Sequence, residues 1–549
     1  MNLTAGVRLR WAGWRNRQRI AALTRQVRIH AYSKTHLNPV VFFNATARLE
    51  GLSQNAAFVF LASSGLRLAG IPVHHFICRS GMSHCVLGTN RENHSKPPPC
   101  QVCVDQSNRL LAGAEVRWFT YHPDPALSEE LKDLNIEELS CFEMKLQFKG
   151  FKERILVPLG SLVLPSIRWA LRRHTLPDNE ETRYLFRDYI LSAVNVGREF
   201  AEYLDHTRPM LAVIFNGIMY PEAIARWVAT NLGVRVVTHE VGFQRFSAFF
   251  TDGEATAYPI PIPGEFELTP QQNQRLDAYL ENRFQGKFSM AGIRFWPEMR
   301  GLETSFNEKT AEFRQIVPVF TNVIYDTSQV HANRVFPHMF AWLDLILEIM
   351  LQHPETFFVI RAHPDEMRPG TAKQSQESVR DWVANQSVQA LANVRFIDSQ
   401  EYLSSYELIQ RAKFVMVYNS SIGMEAALMG AAVLCGGKAR YTQYPMVFFP
   451  ESPQAYYQAA EQFLAADSID VPVEFRQNAR RFLYYQLYRA SLTFEDYLVE
   501  GKRKGYVQLK SFPWQELSPQ KSPTIRLLEK AILGKPAPGA FLREDSLAR

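Results

Sequence analysis

At 549 residues the chain is too long for one ordinary hydrophobic core and long enough for two to four domains. A composition of 46% hydrophobic and 21% charged residues excludes a disordered, collagen-like or coiled-coil protein. The 61 basic and 55 acidic residues leave a net charge of +6, too mild to imply nucleic acid. No apolar run reaches the ~18 residues of a membrane span: Arg67 interrupts the one after Asn55, and Asp344 and Glu348 the one after Phe336. A soluble protein is the expectation.

The charge is unevenly placed. Arg8, Arg10, Arg15, Arg17, Arg19, Arg25 and Arg28 all precede the first acidic residue, Glu50. Trp11, Trp14, Ile20, Leu23 and Val27 interleave with them at roughly helical spacing. Residues 1–35 therefore read as a basic amphipathic leader that either lies on an anionic membrane surface or is simply solvated. The leader lacks the continuous apolar core of ~7–15 residues that marks a secretory signal. The expected location is cytoplasmic, peripheral at the inner face of the cell membrane.

A first α/β unit opens at Pro39–Phe43, a short apolar strand, followed by a helix over Ala56–Ala69 and a strand over Pro72–Ile77. Four cysteines follow, Cys78, Cys85, Cys100 and Cys103, spaced C-x6-C-x14-C-x2-C. Four thiolates in so short a stretch match a structural zinc site in ligand count and softness, and a metal would order a segment that buries little apolar area. His75, His84 and His94 are possible substitutes for one ligand. An iron–sulfur cluster, disulfides or free thiols are the alternatives, disulfides being disfavoured in the cytoplasm. Cys141 and Cys435 read as ordinary buried thiols.

The strand–helix–strand pattern recurs at Met210–Phe215, Pro221–Asn231 and Val234–Thr238, the last ending at Glu240. A second set contains strands at Ile316–Phe320, Phe357–Arg361, Val394–Ile397, Phe414–Tyr418 and Val433–Cys435, with helices at Phe336–Leu351 and Met424–Met429. This is an α/β pattern of two doubly wound parallel-sheet halves. The boundaries expected are a first domain over 36–300 with a Cys-rich insertion at 78–103, a second over 301–500, and a helical tail over 501–549.

Ligands in such folds bind beyond the carboxyl ends of the strands, and three strand ends of the second half carry chemistry. Arg361-Ala362-His363-Pro364 places an imidazole after an apolar strand, with Pro364 biasing His363 toward an extended backbone. Tyr418-Asn419-Ser420-Ser421-Ile422-Gly423-Met424-Glu425 offers hydroxyls and amides at a strand-to-helix turn. That turn is either a phosphate cradle or a plain helix cap with Glu425 in its first turn. Gly436-Gly437-Lys438-Ala439-Arg440 adds two cations beside glycines that permit close backbone approach.

With Pro318–Val323 and Tyr325–Thr327 upstream, and Ser404-Ser405-Tyr406 between, these runs resemble bacterial capsule and surface-polysaccharide biosynthesis proteins. The resemblance implies a GT-B-like architecture, two Rossmann-like domains facing a cleft, with the nucleotide-sugar donor mainly on the second. It implies that His363-Pro364 and the Ser420-Ser421 pair contact the donor phosphate, as the corresponding pairs do in bacterial Kdo- and sialyltransferases. It places Glu425 against a ribose or sugar hydroxyl.

A glycosyl transfer needs donors already aimed at the departing phosphate, which His363, the Ser420 and Ser421 region, Arg361, Tyr418, Asn419, Gly423, Lys438 and Arg440 can frame without a metal in the chemical step. Glu240, at a first-half strand end, is the candidate base, or else a structural carboxylate bonded to loop amides. The expected function is transfer of a sugar from a CMP- or UDP-sugar to a growing capsular or surface polysaccharide or glycolipid, with no nucleic-acid partner. The alternatives are a polyol-phosphate transferase of the CDP-glycerol type and a non-catalytic nucleotide- or glycan-binding protein of an export assembly.

Overall fold

The computed structural model describes residues 3–45, 49–90, 92–286, 299–368, 374–502, 505–545 and 547, with side chains from residue 10 onward. Among these residues the strands form one seven-stranded and one five-stranded sheet, beside two small two-stranded ribbons.

The first sheet is built from β1 (Val40–Asn44), β2 (Val73–Cys78), β3 (Glu115–Phe119), β4 (Leu211–Phe215), β5 (Arg235–Val241) and β6 (Ser247–Thr251). The second holds β7 (Gln315–Phe320), β8 (Thr356–Arg361), β9 (Val394–Ile397), β10 (Val415–Val417) and β11 (Val433–Cys435), and β12 (Leu492–Thr493) returns to the first. The first sheet runs β12–β6–β5–β4–β1–β2–β3, and the second β9–β8–β7–β10–β11. The central pairings β4–β1, β1–β2, β8–β7 and β7–β10 are parallel; β6 and β12 pair antiparallel.

These strands read as near-continuous apolar runs because helices cover both faces: Val40, Val41, Phe42 and Phe43 of β1 are all buried, as is every residue of β8. In both sheets the chain winds one way from the first strand and then the other, leaving a crevice beside β1 and β4 and another beside β7 and β10. That is where doubly wound folds bind ligands. Two Rossmann-like halves face a cleft, the GT-B-like architecture expected.

Helices near both ends of the described chain pack onto the first half, while Asp545 accepts from Gln272 Nε2 at 2.8 Å and Tyr484 Oη at 2.6 Å on helices Pro270–Phe284 and Val473–Tyr484. Helix α1 (Leu3–His30) buries Ile20, Leu23 and Val27 in the core that also holds Phe58 and Leu61 of α2 (Gln54–Leu68). Arg19 Nη1 donates to the Leu509 carbonyl at 2.6 Å, and Asn16 Oδ1 accepts from the Leu509 N–H at 2.8 Å. Ile20, Leu23 and Val27 of the leader therefore face protein, while Trp11, Trp14 and Ile29 stay exposed. No helix among the described residues is long and apolar enough to cross a membrane. Within the 501–549 tail, Ile525 of a late helix (Pro523–Leu533) lies against α2 at Gly65, and β12, just before the tail, extends the first sheet. A Cβ at Gly65 would come within 2.5 Å of Ile525, so only glycine allows that approach.

Candidate active site between the halves

A cavity of about 350 Å³ lies between the halves, lined by Trp169, Phe243 and Thr256 from the first and by the loops after β7, β8, β10 and β11 from the second. Its volume falls within the ~300–1,000 Å³ typical of small-ligand sites. His363, Asn419, Ser420, Ser421, Lys438 and Arg440 all line it. A smaller cavity of about 100 Å³ shares His363, Ser420 and Ser421, and adds Arg361, Tyr406 and Glu425. The imidazole and the twin hydroxyls thus meet on the same space.

Each strand end holds its group by local bonds. After β8, His363 Nδ1 accepts the Asp365 backbone N–H at 3.1 Å, which puts the proton of the neutral ring on Nε2. After β7, Asn322 Nδ2 donates to Asn419 Oδ1 at 2.7 Å, tying the β7 and β10 loops across the crevice. After β10, the Ser420 carbonyl accepts from Tyr441 Oη at 3.0 Å, and Ser421 Oγ donates to Glu425 Oε1 at 3.2 Å. Ser421 precedes a short helix, α3 (Ile422–Leu428), but makes no side-chain cap to it, so the helix-cap reading of the serine pair does not hold. At Gly423 a Cβ would meet Tyr441 Oη at 2.3 Å, so this turn closes only around glycine. After β11, the Arg440 guanidinium lies 3.7 Å from the centre of the Tyr258 ring, a cation–π contact that parks it at the cavity wall.

Several expected site residues are absent from the larger cavity or already engaged by protein groups. Glu240, at the end of β5, accepts the Val241 N–H at 2.8 Å and Asn216 Nδ2 at 3.3 Å and is not among the residues lining the cavity. Glu425 is not open to a sugar hydroxyl: it is 3% exposed, and its oxygens take Arg283 Nη2 at 2.6 Å and Tyr406 Oη at 2.6 Å. Burial, with the Glu425 charge beside it, pushes the Tyr406 phenol well up. Tyr418 is buried against Trp342 and donates to Asn333 Oδ1 at 2.6 Å. Arg361 lies under the site, donating Nη1 to the Asp398 carbonyl at 2.8 Å, and burial lowers its pKa to about 10.

The cavity also holds groups that carried no motif. His331 Nε2 meets Glu254 Oε2 at 2.8 Å and lies 3.1 Å from Thr256 Oγ1. Burial raises the Glu254 pKa, but the His331 hydrogen bond and the Arg226 guanidinium outweigh it and hold the carboxyl at about 2. Asp326 and Asp365 line the wall too, Asp365 paired with Arg368. Asn322 and Asp326 lie in the runs after β7, and Glu254 stands outside any motif.

Of the four insertion cysteines, Cys78 ends β2, and Cys100 and Cys103 open the helix Cys100–Leu110; all four line one small cavity. Among the described residues no disulfide forms, and no group of three or more His, Cys, Asp or Glu is arranged to hold a metal ion, so the zinc reading is unsupported at that level. The nearby histidines are engaged elsewhere: His75 with Asn44, His84 with Asp188 and His94 with Glu181. Cys435 is buried as expected; Cys141 is exposed, contrary to expectation.

No curated protein matches the chain in sequence. Among solved structures, the β-Kdo 2,4-transferase of Thermosulfurimonas dismutans KpsC is 11% identical, with 55% of this chain and 84% of that chain covered at a TM-score of 0.34. The β-Kdo 2,7-transferase of the same protein is 15% identical over 57% and 85%, at 0.33. A UDP-GlcNAc 2-epimerase from Methanocaldococcus jannaschii, in complex with UDP-GlcNAc and UDP, is 10% identical over 81% and 98%, at 0.26. Overlaps this loose transfer no residue's role. Residues 293–445, the stretch that holds His363-Pro364 and Ser420-Ser421, match the family model described as capsule polysaccharide biosynthesis protein, and that is the family this part of the chain resembles.

Proposed function

We propose that this protein is a glycosyltransferase that moves a sugar from a nucleotide-activated donor to a capsular or surface-polysaccharide acceptor. The observation that carries this reading is the convergence of His363, Ser420, Ser421, Lys438 and Arg440, from three separate strand ends, on one cavity between the halves.

Breaking the donor's glycosyl–oxygen bond leaves negative charge on a phosphate oxygen, and groups fixed before the reaction stabilise that charge most. His363, with its proton on Nε2, is a ready hydrogen-bond donor to that oxygen, and the Ser420 and Ser421 hydroxyls supply two more. Lys438 and Arg440 neutralise the rest of the nucleoside phosphate. Trp169 and Phe243 on the opposite wall give the acceptor sugar an apolar face to rest on.

The acceptor hydroxyl must lose a proton as it attacks. His331 takes it in this reading: its Nε2 is held by Glu254, which leaves Nδ1 as the base and stabilises the imidazolium that forms. The test is product analysis with CMP-sugars, UDP-sugars and CDP-glycerol as donors. Transfer from a nucleotide sugar supports the assignment, transfer of glycerol phosphate moves it to the polyol-phosphate class, and binding without turnover reduces it to a nucleotide-binding protein.

A further inference from the structure

The first half holds a second hollow that the donor chemistry does not use. Its volume is about 360 Å³, and it lies where the end of α1 meets the amino ends of β2 and β3. These two strands run parallel, so their carboxyl ends face the opposite edge of the sheet. Arg28, Tyr32, Ser33, Arg67, His74 and Glu115 supply the polar part of the wall.

Two glycine turns shape that wall. Gly113 has a φ of +75°, and a Cβ there would come within 2.6 Å of Arg28 Cδ. Gly70 has a φ of +81°, and a Cβ there would come within 2.5 Å of the Tyr32 ring. Both turns need the left-handed freedom and the missing side chain of glycine, which let Arg28 and Tyr32 close in. Arg67 Nη2 donates to the Gly113 carbonyl, so the Arg28 and Arg67 side chains converge on one turn.

The charge in this wall is unbalanced. Among the described residues no carboxylate pairs with Arg28 or Arg67, although Glu115 shares the hollow. Burial lowers the Arg67 pKa, and no neighbouring carboxylate offsets it. Glu115 acts instead on His74, where its charge opposes the lowering that burial causes. A half-buried guanidinium without a counter-ion is destabilised, and a bound anion relieves that cost.

The outward face of α1 leads to the same place. Trp11 and Ile29 lie about five helical turns apart and point the same way, whereas Ile20, about two and a half turns from Trp11, is in the core. Trp14 and Tyr32 are exposed as well, and so are Arg10, Arg15, Arg17 and Arg25. The helix contains no acidic residue.

We propose that Arg28 and Arg67 bind one phosphate group in this hollow, with the Tyr32 and Ser33 hydroxyls as further donors. Guanidinium forks match phosphate oxygens in pairs, and two of them on one turn suit a doubly charged or diester phosphate. An anionic lipid headgroup and a soluble phosphate ester share this chemistry. Exposed indoles among cations along α1 favour the lipid, because such helices settle at a membrane interface. The hollow and the cavity between the halves share no lining residue, so this inference stands independently of the donor assignment.

The test sediments the full chain with phosphatidylcholine vesicles and with phosphatidylcholine–phosphatidylserine vesicles, and titrates glycerol phosphate by calorimetry. Mixed vesicles should bind at least tenfold more tightly than neutral ones, which names a lipid headgroup as the carrier. Binding of glycerol phosphate alone also supports the site and names a soluble ester. Arg28→Glu should weaken the binding about tenfold or more, and Arg67→Gln severalfold. Arg154→Glu, the same charge reversal at an exposed position elsewhere on the first half, should leave it unchanged. Arg28 is exposed, so its variant decides the matter even if Arg67→Gln fails to fold. Failure of both probes to bind overturns the proposal. So does binding that Arg28→Glu leaves intact, or that Arg154→Glu weakens equally.

Discussion

Replacing Arg283 with Met tests whether the serine cradle rests on a buried ion pair. The Arg283 and Glu425 side chains are 2% and 4% exposed and meet at 2.6 Å, while Tyr406 Oη and Ser421 Oγ bond the same carboxylate. A pair so enclosed differs from a surface bridge worth ~0–1 kcal/mol. Met keeps the apolar stem but leaves the Glu425 carboxylate without its cation, and breaking one side of a buried pair costs about 3–5 kcal/mol. For a folding unit the size of the second half, each kcal/mol moves the melting midpoint by roughly 2–4 °C. Arg283→Met should therefore lower that midpoint by roughly 10 °C in a thermal melt at neutral pH. Arg283→Met with Glu425→Leu should recover most of the loss, because it removes the stranded charge. A single variant that loses under ~1 kcal/mol, or a double variant no better than the single, would show that solvent already screens the pair.

Glu366 gives a pH signature: burial raises its carboxyl pKa to about 8 from an ordinary 4.5. The native state holds this proton where the unfolded chain has lost it, so stability should fall as pH rises from about 4.5 through 8. Glu366→Gln should flatten that decline by a few kcal/mol in urea titrations at pH 5, 7 and 9; parallel curves for both proteins would contradict the assignment. Gly423→Ala drives a methyl group against Tyr441 Oη and should cost about 1–3 kcal/mol, with weaker nucleotide binding by calorimetry. Glu254→Gln should lower turnover by about 10²-fold or more and shift the acid limb of the pH–rate profile, with donor affinity held. An unchanged profile would remove His331 from the base role.

Much of the second half was legible in the sequence because its strands are short, apolar and buried on both faces. Pro364 after β8 and the small polar run after β10 mark where the chain leaves the sheet, and both runs line the cavity. What the sequence could not show is which polar group faces which. Glu425 sits four residues from Ser421 and reads equally well as a ligand contact, until Arg283, distant in the chain, is seen to claim it. Glu240 reads as a base or a structural carboxylate, and its bond to the Val241 amide shows only in the structure.

Packing partners distant in the chain were hidden for a similar reason. The basic residues of the leader dominate its composition, but only the partners of Ile20, Leu23 and Val27 reveal that its apolar face is buried in protein. The return of Leu492–Thr493 to the first sheet rests on two residues pairing antiparallel with β6, too short a signal to read from periodicity. The pairing of His331 with Glu254 was equally hidden, since neither residue belongs to a recognisable motif.

The measurement that bears most directly on the shared phosphate site is calorimetric titration of CMP- and UDP-sugars into the wild-type chain, His363→Ala and the Ser420→Ala/Ser421→Ala pair. Saturable binding of one donor class by the wild type should weaken at least tenfold in both variants while their melting curves stay near wild type. Equal affinity across all three chains would mean that the imidazole and the two hydroxyls do not hold the nucleotide, and the proposed chemistry would have no seat in this cavity.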